Sequence, residues 1–416
     1  MANPIHKKIS LSVLFLSAFI DYAGVAIVFT IFAFLLFDPA LSFFPPEASE
    51  WTRGMWLGVL IALHPLMQFF SSPILGAVSD LRGRKKPLIW SLVISLVGYF
   101  FAIVGVHYES LWFLAFYRIL AGIGAGNSSI LSATVSDLST SEEKAKNFGF
   151  LSMSMGAGFI IAPLLGGFLS KHFGYVIPFF FPFLLVILNL LLVVWRLQET
   201  RPVATLKRIG IFQSFTMMQR AFKIKELRFL YLSLLFFSIG WSFFIEFISL
   251  FLRKQYGFTA HETGIFYGYG AIFYAVCSGF LIFPVIRRIT ATRAFLWSMF
   301  LAGVSIIALL FIQSRILLWA YVPIAELFLA FVYPAATTVI SLTAAESEQG
   351  EAIGISHAVN ALALGISPFF VGSFVGPYPQ AAVWIGGGMM IVASLIFGLY
   401  YYTHSRPLSV RDKPLV

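Results

Sequence analysis

Three carboxylates, Asp21, Glu246 and Glu326, stand well inside long apolar stretches. A charged side chain at the centre of a bilayer costs about 2.5–3.5 kcal/mol even on lenient scales, so each of them must work or be satisfied. A carboxyl group taken out of water holds its proton more readily, and a nearby cation opposes that. Such a group takes up or releases a proton when its access to water changes side. Asp21, near the middle of its stretch, is the first candidate for proton coupling or substrate contact; its plainer role is a structural hydrogen bond to a neighbouring helix. Glu246 and Glu326 have the same two roles open to them. Arg118 lies in another apolar stretch and needs a carboxylate, a carbonyl or water, so it faces a central cavity or snorkels to the outer surface.

His64, Gln68, His357 and Asn360 add polar groups at similar depth, either lining a cavity or bonding between helices. His64 precedes Pro65 and can instead mark a helix bend. Tyr22, Tyr117, Trp241 and Phe244 adjoin the buried charges and are the candidate aromatic contacts, with ordinary packing as the alternative. No spacing of His, Cys, Asp or Glu suggests a metal site. No Gly-x-x-x-x-Gly-Lys-Ser/Thr loop occurs. No nucleophile and base are paired, so no enzyme activity and no cofactor are expected. The single cysteine, Cys277, excludes a disulfide within the chain.

The elements that must position these residues follow from composition. The chain has 416 residues, 59% hydrophobic and 11% charged, with a mean hydropathy of +0.89. That is more apolar surface than a soluble core hides, so the solvent must be lipid. A helix of about 20 residues crosses the hydrocarbon layer. Apolar runs predict twelve spans near 9–37, 54–77, 87–106, 110–133, 147–169, 176–196, 229–253, 262–286, 293–312, 316–342, 350–375 and 380–403. The first run is too long for a cleavable signal peptide and reads as a retained helix.

The net charge of +10 is spread among short loops, which favours membrane orientation over nucleic-acid binding. With both termini in the cytoplasm, that side holds Lys7, Lys8, Arg82 to Lys86, Lys144, Lys146 and most of the remaining basic residues. The opposite side keeps Arg53, Lys171, Arg253, Lys254 and Arg315. This is the positive-inside asymmetry. The long basic break divides the chain into 1–196, a linker at 197–228 and 229–416. Within the linker, 209–225 suits either a short helix on an anionic membrane surface or a solvated connector. A shift of 205 residues places Gly149 on Gly354, Pro163 on Pro368 and Gly167 on Gly372, so span 5 echoes span 11. The expected fold is all-α, with two pseudo-symmetric six-helix bundles.

Five segments carry a family resemblance. Gly76-Ala-Val-Ser-Asp80-Leu-Arg-Gly83-Arg84-Lys85-Lys86 between spans 2 and 3 resembles the signature loop of the major facilitator superfamily. Arg118-Ile-Leu-Ala-Gly122-Ile-Gly124-Ala-Gly126 resembles its second motif, and Gly158-x3-Ala162-Pro163-x2-Gly166-Gly167 resembles the motif of its antiporter branches. Phe19-Ile-Asp21-Tyr-Ala-Gly24 and Leu66-Met-Gln68-Phe-Phe-Ser-Ser-Pro73 are similar to the tetracycline/proton antiporter group. Spans 3 and 9 lack that group's membrane acids, so tetracycline itself is not implied. The resemblance implies that Arg84 latches onto Asp137. It also implies that Gly76, Asp80, Gly83, Gly158, Pro163, Gly166 and Gly167 belong to gating elements.

The reading is therefore a monomeric transporter of the bacterial inner membrane. It exports a small amphipathic or aromatic compound by proton antiport, with protons and membrane lipids as its other partners and no nucleic acid. Proton-coupled uptake of a metabolite or siderophore-like ligand is the first alternative. A non-transporting receptor or scaffold on the same fold is the second.

Overall fold

The computed structural model of the chain describes residues 4–140, 143–200, 227–343 and 349–403. In lipid every backbone N–H and C=O must find its partner inside the protein, which a helix achieves within one segment. The described residues accordingly contain helices and no strands. Among the described residues, twelve helices are long and apolar enough to cross a membrane. We label them α1 (Lys8–Phe37), α2 (Glu50–Arg82), α3 (Lys85–His107), α4 (Leu111–Leu138), α5 (Lys146–Phe173) and α6 (Ile177–Arg196). The second set is α7 (Arg228–Tyr256), α8 (Ala260–Leu281), α9 (Ala291–Phe311), α10 (Arg315–Thr343), α11 (Ala352–Val375) and α12 (Ala381–Tyr402).

Two spans depart from the continuous runs expected. A turn at Gly126 and Asn127 divides α4 into Leu111–Ala125 and Ser128–Leu138. The last stretch of α8, Cys277–Leu281, is wound as a π-helix before Ile282–Ile289, a form that proteins tend to keep at functional sites. Prolines lie inside α2 (Pro65, Pro73), α5 (Pro163), α6 (Pro182), α10 (Pro323, Pro334) and α11 (Pro368). Each frees the carbonyl four residues earlier and favours a bend there. The surface helix expected over 209–225 and most of the linker fall outside the described residues.

The chain forms two compact units. The described residues of the first fall within Met1–Ser49, Trp56–Ser214 and Thr259–Ile265, and those of the second within Glu50–Met55, Phe215–Phe258 and Phe266–Val416. Each unit repeats one packing scheme. In the first, α1 lies on α5 and α6, and α3 on α4 and α6. In the second, α7 lies on α11 and α12, and α9 on α10 and α12. Large apolar side chains such as Trp90, Phe100, Trp195, Phe370 and Leu399 are exposed. Lipid, to which they are as compatible as a protein core, accounts for that surface.

Candidate functional site

In the first unit the site grows out of the approach of α4 to α2. At Gly122 a side-chain carbon would strike the backbone of His64, and at Gly126 it would strike Ser71. Only glycine permits this spacing. One turn before Gly122, Arg118 is 1% exposed and reaches α2, donating from Nε to the Leu60 carbonyl at 2.7 Å and from Nη2 to the Ile61 carbonyl at 3.1 Å. Its guanidinium carbon lies 5.8 Å from the Tyr117 ring centre and 5.9 Å from that of Phe32. Arg118 thus neither snorkels nor opens to a cavity; carbonyls of a proline-bearing helix take it up instead. Gln68 Nε2 donates to the Ala125 carbonyl at 3.2 Å, where the first half of α4 ends.

Asp21 on α1 is half-buried, and its Oδ2 is buried without a hydrogen-bond partner. Asn127, at the turn in α4, is its near polar neighbour. Asn127 is fully buried, and neither amide atom completes a hydrogen bond. A carboxyl oxygen and an amide thus meet with bonding capacity unused. Ser17 and Asn189 show the contrast one turn away along α1: Asn189 Nδ2 donates to Ser17 Oγ at 2.9 Å and joins α6 to α1. Tyr22 packs on Phe159, with ring centres 5.7 Å apart. The Tyr117 ring is 5.4 Å from that of Tyr99, whose hydroxyl fills the space left by Gly24.

The α2–α3 turn forms the latch. Gly83 has φ +85°, a left-handed conformation that suits glycine alone. It turns the chain so that Arg84, 3% exposed, donates from Nε to Asp137 Oδ2 at 2.9 Å and from Nη1 to Asp80 Oδ1 at 2.7 Å. Arg84 Nη1 also reaches Ser79 Oγ at 2.8 Å. From the end of α6, the Glu199 carboxylate accepts from the backbone N–H of Arg84 at 2.6 Å and of Lys85 at 3.1 Å. It thereby caps the start of α3, where a negative charge suits the helix dipole. Gly76 lies against Ser129. On α5, Gly158 rests on the α1 backbone at Phe19 and Ala23, Gly166 on Ile27 of α1, and Gly167 on Ala260 and His261 in the same unit.

In the second unit Glu246 is 2% exposed. Ser242, four residues earlier on α7, donates to its Oε2 at 2.6 Å and also bonds Ser367 of α11. A second network joins three helices: Tyr333 of α10 donates to Asn360 Oδ1 of α11 at 2.8 Å, and its hydroxyl is 3.2 Å from Ser238 Oγ of α7. Glu326 is half-buried with its carboxyl against Gly270 of α8. Trp241 is half-buried, 6.1 Å from the ring of the buried Phe244. His357 is exposed, whereas His64 is 4% exposed.

These two halves, each with buried acids on bent and closely packed helices, match known transporters. The chain matches the Major Facilitator Superfamily over residues 14–325 and 230–415. It belongs to that family. Among curated proteins it is 26% identical over 391 residues to the quinolone resistance protein NorA of Staphylococcus aureus, covering 92% of this chain and 94% of that one. It is also 38% identical over 146 residues to the class C tetracycline resistance protein of Escherichia coli, which is 34% of this chain and 35% of that one. Among solved structures, the human organic anion transporter MFSD10 superposes with a TM-score of 0.68 at 18% identity, over 95% of this chain and 100% of that one. A bacterial homologue of the human lysosomal transporter Spinster, inward-facing and unoccupied, gives 0.72 at 16% identity over 100% of both chains. These two likenesses speak for the fold alone.

For this major facilitator chain, the structure brings the predicted residues into separate groups. In the first unit Asp21 with Tyr22, and Arg118 with Tyr117 and the Leu60–His64 turn of α2, adjoin the same Tyr99 and form one, and the latch is another. Glu246, Asn360 and Glu326 belong to the second unit and lie in different side-chain environments. Asn127, Ser242, Ser367, Tyr333 and Glu199 were not expected from the sequence. Asn127 alone had a visible signal: it is the polar residue that directly follows the Gly122-x-Gly-x-Gly126 run.

Proposed function

We propose that this transporter exports a small amphipathic or aromatic compound in exchange for protons, by alternating access between two bundles at 1–196 and 229–416. Asp21 carries the proton, Glu246 and Glu326 supply further carboxyls in the second bundle, and the Arg84 latch and the Pro163 helix act in closure. The protein works as a monomer in the bacterial inner membrane with both termini in the cytoplasm. The observation that carries this reading is the buried Asp21 oxygen that no protein group satisfies. Such an atom is costly in a static scaffold and useful in a group that gains and loses a proton. The likeness to the quinolone resistance protein over 92% of the chain supports drug-like cargo.

The test is purified protein in liposomes under an imposed pH gradient, challenged with lipophilic cations, antibiotics, sugars and chelators. Proton flux that depends on one compound, and that Asp21→Asn abolishes, is the expected result. Accumulation along an inward proton gradient would mark an uptake symporter instead. Binding of a compound without any flux would mark a receptor. Protease access to tags at each terminus in sealed vesicles tests the orientation.

A further inference from the structure

We infer that Arg118 is a positioning residue that caps the bend of α2 at Pro65 and ties that bend to α4, rather than a carrier of protons or a contact of the substrate. Pro65 has no N–H, so the carbonyl of Ile61, four residues earlier, loses its partner within the helix. In lipid no water replaces that partner, and a bare carbonyl there is costly. Arg118 Nη2 occupies the position at 3.1 Å, and Nε of the same guanidinium takes the adjacent Leu60 carbonyl at 2.7 Å. Two donors on one edge of a rigid plane fit two neighbouring carbonyls, which a single ammonium cannot reach together.

The placement is built and not incidental. Gly122 brings α4 against the backbone of His64, and one turn earlier along both helices this contact sets Arg118 beside Leu60 and Ile61. The side chain is 1% exposed and its cation lies near the rings of Tyr117 and Phe32, which stabilise a charge removed from water. The two carbonyls thus offset part of the cost of an intramembrane arginine, while the arginine caps the carbonyl that Pro65 leaves bare. A cap made by a side chain, unlike a helix's own N–H, can shift between carbonyls as the bend opens or closes. This role holds whichever compound is carried.

The experiment is a cycle on the full chain in lipid nanodiscs: R118M, P65A and the double variant, read by melting temperature and by hydrogen exchange over residues 57–70. R118M is expected to lower the melting temperature by about 3–6 °C and to speed exchange there roughly tenfold. P65A restores the missing N–H, so the double variant should show less than half of the R118M loss. An R118M loss of equal size with and without P65A overturns the inference. R118K keeps the charge but not the fork, and should lose at least half as much as R118M; full retention by R118K would equally overturn it. If R118M yields no folded protein, R118K and R118K/P65A read the same coupling. None of these outcomes depends on a transport assay, so they stand apart from the proton-antiport reading.

Discussion

Arg84 Nε lies 2.9 Å from Asp137 Oδ2, so the turn between α2 and α3 is held to the C-terminal end of α4 by a charge-assisted bond. Arg84 is 3% exposed and Asp137 26%, which shields the pair from the screening that makes surface pairs weak. Charged hydrogen bonds of this kind contribute about 1.5–3 kcal/mol. Arg84→Ala should lower stability by that amount. In a double-mutant cycle with Asp137→Asn, the losses should be clearly less than additive. Independent losses in thermal unfolding would refute the latch as an energetic unit.

Asp21→Asn keeps the shape of the side chain and removes the titration. Substrate gradients should then equilibrate without accumulation, and bound substrate should still exchange across the membrane. Proton release on substrate addition, followed by a pH dye in weakly buffered detergent, should disappear.

Asn127 carries both a donor and an acceptor, so it can bond the Asp21 carboxyl in either protonation state. Asn127→Leu removes both. The midpoint of the pH profile of transport should move by about one unit or less, roughly the 1.4 kcal/mol of one hydrogen bond. Melting temperature should change little, because neither amide atom completes a bond in this state. An unmoved pH profile would separate Asn127 from the acid.

Glu246 depends on Ser242 and Ser367 for its setting. Ser242→Ala should cost about 1–3 kcal/mol by leaving a buried carboxyl oxygen short of a donor. Combining it with Glu246→Gln should relieve much of that cost, since a neutral amide needs less support. Chemical denaturation of the four proteins would show it.

Gly83→Ala tests the turn. At φ +85° a side chain adds about 1–2 kcal/mol of backbone strain. It would also intrude on Glu199, the cap of α3. Gly122→Leu should be far worse, since the neighbour there is the His64 backbone, which cannot turn aside. Yield of folded protein on size exclusion separates the two.

Sequence reasoning reached the lipid-solvated helices, their number and the family, because hydrophobic length is a local property and short motifs sit in contiguous residues. The Arg84 latch was also legible, because a motif and a known partner position predicted it. The three acids within the spans were legible for the same reason, as isolated charges in apolar runs. Their partners were not. Which of four serines meets Glu246, or that Asn127 meets Asp21, depends on the rotation of each helix about its axis. Where apolar residues surround a helix on every side, periodicity carries no record of that rotation. The need of Arg118 for a carboxylate, a carbonyl or water could be stated from its type and depth alone. That it found carbonyls, and those beside Pro65, was decided by glycines that let α4 touch α2, a distance only the folded helices determine.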